Sequence, residues 1–116
     1  KDGTLEKIRK ATEIIKRKTN LVVDGELQLD SAIIPEVAKF KKSEIIKGDA
    51  NILIFPDLNS GNIGYKLAQR FSNAKAIGPL IIGSNKPCSD LSRGCTSEEI
   101  VDIIAITSVR AGNNKC

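Results

Sequence analysis

The chain contains no histidine and no methionine, and aromatic rings are few: three Phe and one Tyr in 116 residues. Without imidazole, a zinc site of the Cys and His type lacks its nitrogen ligands, and a serine nucleophile lacks its usual base. So few rings leave no platform on which nucleic-acid bases could stack. The cysteines are Cys88, Cys95 and Cys116, an odd number with no C-x-x-C spacing. A disulfide framework is therefore not expected, which points to a reducing cytoplasm. No apolar run is long enough to span a bilayer, and the start carries no signal-peptide pattern. The chain begins at Lys1, which reads as a fragment or a processed product, and removal of an original N-terminus would hide any targeting segment it carried.

Charge is mild and mixed. Eighteen basic and 14 acidic residues leave a net charge of +4. The densest basic region is Lys16-Arg17-Lys18, with Lys7, Arg9 and Lys10 upstream. It reads as a solvated helix face rather than a nucleic-acid patch. A mild positive field also suits a small polyanion.

Periodicity predicts a helix over 4–18, capped by Thr4, with Leu5, Ile8, Ala11 or Thr12, and Ile15 on one face. The apolar run 21–23 reads as a short strand leading into Asp24-Gly25. Residues 30–41 read as a helix capped by Asp30, with Pro35 in its first turn or kinking it. Residues 51–55 are a continuous apolar run, as in a strand buried on both faces of a parallel sheet. A helix over 62–71 follows, with Ile63, Leu67, Ala68 and Phe71 facing inward. Residues 76–82 contain a further strand, interrupted at Gly78-Pro79. The last helix spans 97–110, apolar on more than one stripe and stopped by Gly112 and Asn113. The alternation predicts an α/β fold with a largely parallel sheet, three-layered as αβα.

Two stretches carry chemistry. Asp90-Leu91-Ser92-Arg93-Gly94-Cys95-Thr96-Ser97-Glu98-Glu99 sets a hydroxyl, a guanidinium, a thiol and carboxylates at a helix start. Free N–H groups and the helix dipole favour an anion there, and Arg93 adds a bidentate clamp. Arg93 could instead pair with Asp90 or Glu98, and Ser92 could be a turn residue. Thr96-Ser97-Glu98-Glu99 also fits a T-x-x-E capping box. Cys95 lies where a thiol pKa is lowered. It is either a reactive thiol or a small residue lining the site. The second stretch, Asn59-Ser60-Gly61-Asn62-Ile63-Gly64-Tyr65-Lys66, is a Gly- and Asn-rich turn entering a helix. It is an anion candidate or simple strand-to-helix turn chemistry, and it is neither a P-loop nor G-x-G-x-x-G. Asp24, Glu26 and Asp30 do not complete an EF-hand and read as turn and capping residues.

Taken together, Asp24-Gly25-Glu26-Leu27-Gln28-Leu29-Asp30, the stretch 56–66, Ala76-Ile77-Gly78-Pro79 and the stretch 90–95 resemble the C-terminal part of the phosphate acetyltransferase family. The resemblance runs from about Leu21 to the end. It implies a fragment of a two-domain acyltransferase fold, with residues 1–80 the C-terminal portion of the second α/β domain. Residues 81–116 would return to the first domain with the final helix. It implies reversible acetyl transfer between CoA and inorganic phosphate, by thiolate attack on acetyl phosphate. No tightly bound cofactor is implied, and CoA or acetyl-CoA is a substrate.

The catalytic residues implied are Ser92, Arg93 and Glu99. Arg93 would hold phosphate or polarise the carbonyl, and Ser92 would hydrogen-bond the transition state. Glu99 stands where the family carries Asp as general base, and it is either that base or the helix cap. Moving a proton from a thiol of pKa about 8.5 to a carboxylate of about 4.3 is uphill by ~4 units, or roughly 6 kcal/mol. A cation beside the thiol, or desolvation of Glu99, would have to close that gap. Asn59, Gly61, Asn62, Lys66, Asp90 and Cys95 would line the substrate cleft. A cytoplasmic homodimer is implied, with no nucleic-acid or membrane partner, and the isolated 116 residues are expected to turn over poorly. The alternatives are the regulatory acyltransferase-like region of a malic enzyme and a non-catalytic nucleotide-binding module.

Overall fold

Basic and apolar residues alternate at helical spacing from the start of the chain, and they form α1 (Gly3–Lys18). The computed structural model describes residues 3–112, which form two compact units, one up to Gly64 and one from Tyr65. Asn113 and Cys116 lie outside the described residues.

In the first unit, Leu5, Ile8, Thr12 and Ile15 are half-buried, so the inner face of α1 uses Thr12 rather than Ala11. Thr4 falls inside the first turn rather than at the cap. The loop 24–26 lies along this helix. A Cβ on Gly25 would sit 3.1 Å from Thr12 Oγ1. Lys16 pairs with Asp24 and Arg9 with Glu26, while Asp24 Oδ1 also accepts the Gly25 N–H. Asp30 pairs with Lys41. The three acidic residues therefore face basic partners and serve the turns.

The helix expected over 30–41 is two helices, α2 (Leu29–Ile33) and α3 (Pro35–Phe40). Pro35 forces the break. Its ring pushes Ile34 into an extended conformation (φ −122°, ψ 110°), and its missing N–H is harmless at the first position of α3. Asp30 is not the cap. It lies in the first turn of α2, and its carboxylate accepts the Ser31 N–H.

The two short helices close on small residues. Ser31, Ala32, Ala38 and Gly48 are buried, and the Ala50 N–H donates to the Ala32 carbonyl at 2.9 Å. Gly48 has φ +84°, and a Cβ there would lie 2.3 Å from Pro35 N and 2.4 Å from Ile34 C. Only glycine meets both demands.

The expected largely parallel sheet is not present among the described residues. The runs 21–23 and 51–55 carry no ladder, and Ile52 and Ile54 are 73% and 84% exposed. A β-strand needs a neighbour to take its N–H and C=O groups, and no described segment supplies one. Only β1 (Leu80–Ile81) and β2 (Cys88–Ser89) pair, antiparallel, with Leu80 opposite Ser89 and Ile81 opposite Cys88. The strand expected over 76–82 thus shrinks to two residues. The chain mixes helix and strand, in keeping with an α/β class, but the sheet it forms is small.

Helix α4 (Leu58–Ser72) starts a turn earlier than expected. Its supposed inner residues Ile63, Leu67, Ala68 and Phe71 are exposed. Its first two turns instead pack on Phe55, where a Cβ on Gly64 would come within 2.7 Å of the ring.

In the second unit, α5 (Ser97–Gly112) lies against the β1–β2 pair. Ile103 is buried, the Ser89 and Thr107 hydroxyls are 2.6 Å apart, and Arg110 Nη2 donates to the Ile81 carbonyl at 3.0 Å. The second apolar stripe expected to be buried is open, with Val101 65% and Ile104 62% exposed.

Candidate functional site

The start of α5 is built by its own sequence. The Glu99 N–H donates to Thr96 Oγ1 at 3.2 Å, and the Thr96 N–H donates to Glu99 Oε2 at 2.8 Å. This is the reciprocal capping box that T-x-x-E encodes. It holds one carboxylate oxygen of Glu99 and leaves Oε1 without a donor among the described residues. Glu99 is half-buried, so its free oxygen is oriented yet accessible.

The loop before it is a tight turn. The Cys95 N–H donates to the Ser92 carbonyl at 3.0 Å, and the Asp90 N–H donates to the Pro79 carbonyl at 3.1 Å, which extends the β1–β2 pairing into the loop. Asp90 Oδ1 accepts the Leu91 N–H at 2.8 Å, so this carboxylate braces its own backbone. Arg93 is exposed and makes no ion pair among the described residues, so it is tied to neither Asp90 nor Glu98. Ser92 is exposed, and Cys95 is a half-buried free thiol. The segment therefore offers an unpaired guanidinium, a hydroxyl and an oriented carboxylate, all presented near one helix start. That set can hold an oxyanion and accept a proton.

The start of α4 is occupied differently. Asp57 caps it: its Oδ1 accepts the Ser60 N–H at 2.9 Å, and its carbonyl accepts the Gly61 N–H at 3.1 Å. The Ser60 backbone N–H is the main cause that holds the Asp57 carboxyl below its ordinary value of 3.8, and Ser60 Oγ adds to it. Lys7 adds a smaller effect, and its Nζ donates to the Pro56 carbonyl at 2.6 Å. The free N–H groups expected to receive an anion thus already have an anionic cap. Gly64 makes room for the Phe55 ring, so its smallness serves packing, whereas a Cβ on Gly61 would meet Phe55 only at an ordinary contact distance of 3.6 Å. Asn59, Asn62 and Lys66 are exposed, and Lys66 Nζ sits 5.1 Å from the Tyr65 ring centre.

Sequence reasoning assigned no role to Asp57, although Asp before a helix with Ser three residues on is a capping signal. It also missed Lys75 and Asp102, whose Nζ and Oδ2 lie 2.6 Å apart. No local pattern links those two. No group of three or more Cys, Asp and Glu among the described residues is arranged to hold a metal ion, and no described helix is long and apolar enough to cross a membrane.

Comparison with known proteins places this geometry in a family. A family profile described as "Phosphate acetyl/butaryl transferase" matches residues 1–108. The phosphate acetyltransferase of Clostridium acetobutylicum is 56% identical over 113 residues, which is 96% of this chain and 34% of that relative. The phosphate acetyltransferase of Bacillus subtilis is 47% identical over 113 residues, 96% of this chain and 35% of that relative. Among solved structures, the EutD phosphotransacetylase from Staphylococcus aureus superposes with a TM-score of 0.79 at 38% identity. That match covers 98% of this chain and 36% of the other. The chain spans about a third of the length of the curated relatives it matches. With the profile match over 1–108, these identities and the shared fold, the chain belongs to the phosphate acetyl/butaryl transferase family.

Proposed function

We propose that the protein carrying this chain transfers an acetyl group reversibly between CoA and inorganic phosphate, so that acetyl-CoA and phosphate interconvert with CoA and acetyl phosphate. One observation carries the reading: an unpaired Arg93 and a half-held Glu99 flank one helix start, in a chain 56% identical to a phosphate acetyltransferase. In the direction of thioester formation, the CoA sulfur attacks the acetyl carbonyl. A C–S bond forms, the C–O bond to phosphate breaks, and the thiol proton passes to Glu99. Arg93 neutralises the phosphate or the developing oxyanion, and Ser92 donates a hydrogen bond to it. Arg93 also favours the thiolate, which narrows the roughly 6 kcal/mol gap between a thiol and a carboxylate. Asn59, Asn62 and Lys66 contact CoA from the start of α4, Gly61 lets the backbone there approach it, and Asp90 and Cys95 shape the loop around the acetyl group.

The rest of the protein supplies the remaining sheet. The apolar runs 21–23 and 51–55 join a largely parallel, three-layered αβα arrangement, with residues 1–80 in one domain and 81–116 returning to the other. Their exposure here supports that reading. The protein works as a cytoplasmic homodimer without a tightly bound cofactor, and the isolated chain turns over poorly.

The test is thioester formation from CoA and acetyl phosphate by the full-length protein, with Arg93→Ala and Glu99→Gln beside wild type. Gln keeps the capping box, since its amide oxygen accepts the Thr96 N–H, but it cannot take the thiol proton. Both variants are expected to lose kcat, Glu99→Gln by about 10²–10⁴-fold as for a general base. If only Arg93→Ala fails, Glu99 is a cap and the base lies elsewhere. If wild type forms no thioester, the activity is misassigned.

A further inference from the structure

Helix α5 is tied to the segment before it at three heights. Arg110 reaches the Ile81 carbonyl near its end, and Thr107 meets Ser89 at mid-length. Nearest its start, Asp102 Oδ2 lies 2.6 Å from Lys75 Nζ. The first two ties hold the far half of the helix. The third is the polar tie, among the described residues, nearest the turns that carry Glu99, and it adds to the packing of the buried Ile103.

Asp102 follows Glu99 by three residues, so the two share a side of the helix. Lys75 belongs to the stretch between α4 and β1. Its ammonium is held above its ordinary pKa of 10.5, first by its contact with Asp102, then by that carboxylate's charge, with smaller effects from Glu98 and Glu99. Lys75 thus stands in the field of all three acidic groups of the first two turns. The Asp102 side chain is 27% exposed, and its Oδ2 has no aligned hydrogen-bond donor, so the ammonium is what balances it. The Lys75 side chain is 56% exposed, and a pair this open adds little to global stability. Its worth lies in where it puts the helix start.

We infer that Lys75 is a positioning residue for acetyl transfer: by gripping Asp102 it fixes the first two turns of α5 and, through them, the Glu99 carboxylate. The inference rests on the function proposed above. A displacement of about 1 Å at reacting groups is enough to cost about 10²-fold in rate, so a loosened helix start would be felt in kcat.

The experiment is steady-state thioester formation by the full-length protein with Lys75→Gln, Lys75→Arg, Asp102→Asn and the Lys75→Gln/Asp102→Asn pair, alongside thermal melting of each. Lys75→Gln and Asp102→Asn are expected to lower kcat about tenfold while KM for CoA and acetyl phosphate moves less than about twofold. Lys75→Arg should restore most of the rate, and the double variant should be no slower than the worse single one. If Lys75→Gln fails to fold, Asp102→Asn is read the same way. Unchanged kcat in folded variants would overturn the inference while leaving the activity intact. A raised KM at constant kcat would also overturn it, because Lys75 would then touch substrate directly. Absence of thioester formation in wild type would remove the activity itself, and the inference with it.

Discussion

Gly48 and Gly83 both have positive φ, +84° and +90°, yet their surroundings are opposite. A Cβ on Gly83 would meet nothing within 4 Å, whereas a Cβ on Gly48 would lie 2.3 Å from Pro35 N and 2.4 Å from Ile34 C. Alanine at either site incurs the left-handed cost of roughly 1–2 kcal/mol. At Gly83 little more is expected. At Gly48 the obstacle is backbone at the α2–α3 break, which cannot swing aside as a side chain can, and forcing an extra methyl into packed structure costs typically 1–3 kcal/mol. Gly48→Ala should therefore destabilise by about 2–5 kcal/mol and Gly83→Ala by about 1–2 kcal/mol. The assay is urea unfolding of the full-length protein, read as a midpoint shift at constant m-value. Equal shifts for the two variants would refute the reasoning, since they would show that the space around Gly48 is not what matters.

Three further outcomes can be checked with the same protein. Gly64→Ala should cost little, about 0–2 kcal/mol in urea unfolding, because a gain of about 1 kcal/mol in helix propensity offsets displacement of the partly exposed Phe55 ring. Asp57→Asn should leave stability near neutral pH almost unchanged, since Asn caps as well as Asp. The wild-type carboxyl is held below 3.8, so its contribution is present above that pH and is lost as pH falls through the lowered value. The variant should lack that acid-induced loss in melting temperature between pH 5 and pH 2. Thr107→Val should destabilise by about 1–3 kcal/mol in thermal unfolding, because it strands the part-buried Ser89 hydroxyl that now meets Thr107 at 2.6 Å.

Local signals in the sequence read well. The T-x-x-E pattern of Thr96 and Glu99 became the reciprocal cap it describes, and the extents of α1 and α5 follow from their periodicity. Pro35 signalled a kink or an early helix position, and it lies at the first position of a separate helix because Ile34 must be extended. What failed depends on distant partners. The run 51–55 has the composition of a buried strand, but a strand is defined by a neighbour, and no described residue provides one. The glycines of the 59–66 stretch looked like room for an anion. Only the position of Phe55 reveals that Gly64 accommodates a ring. Lys75 and Asp102 carry no local pattern, so their pairing becomes visible only once α5 is packed.

The bare stretch Asn51-Ile52-Leu53-Ile54-Phe55 has a consequence for anyone handling this chain by itself. It is uncharged, carries two β-branched residues, and its backbone groups have no ladder partner among the described residues. Such a segment is a template for intermolecular β-pairing, the first step towards aggregation. Solubility of the excised 116 residues would then depend on blocking that edge, for instance by a Lys at Ile54, rather than on strengthening any part of the existing core.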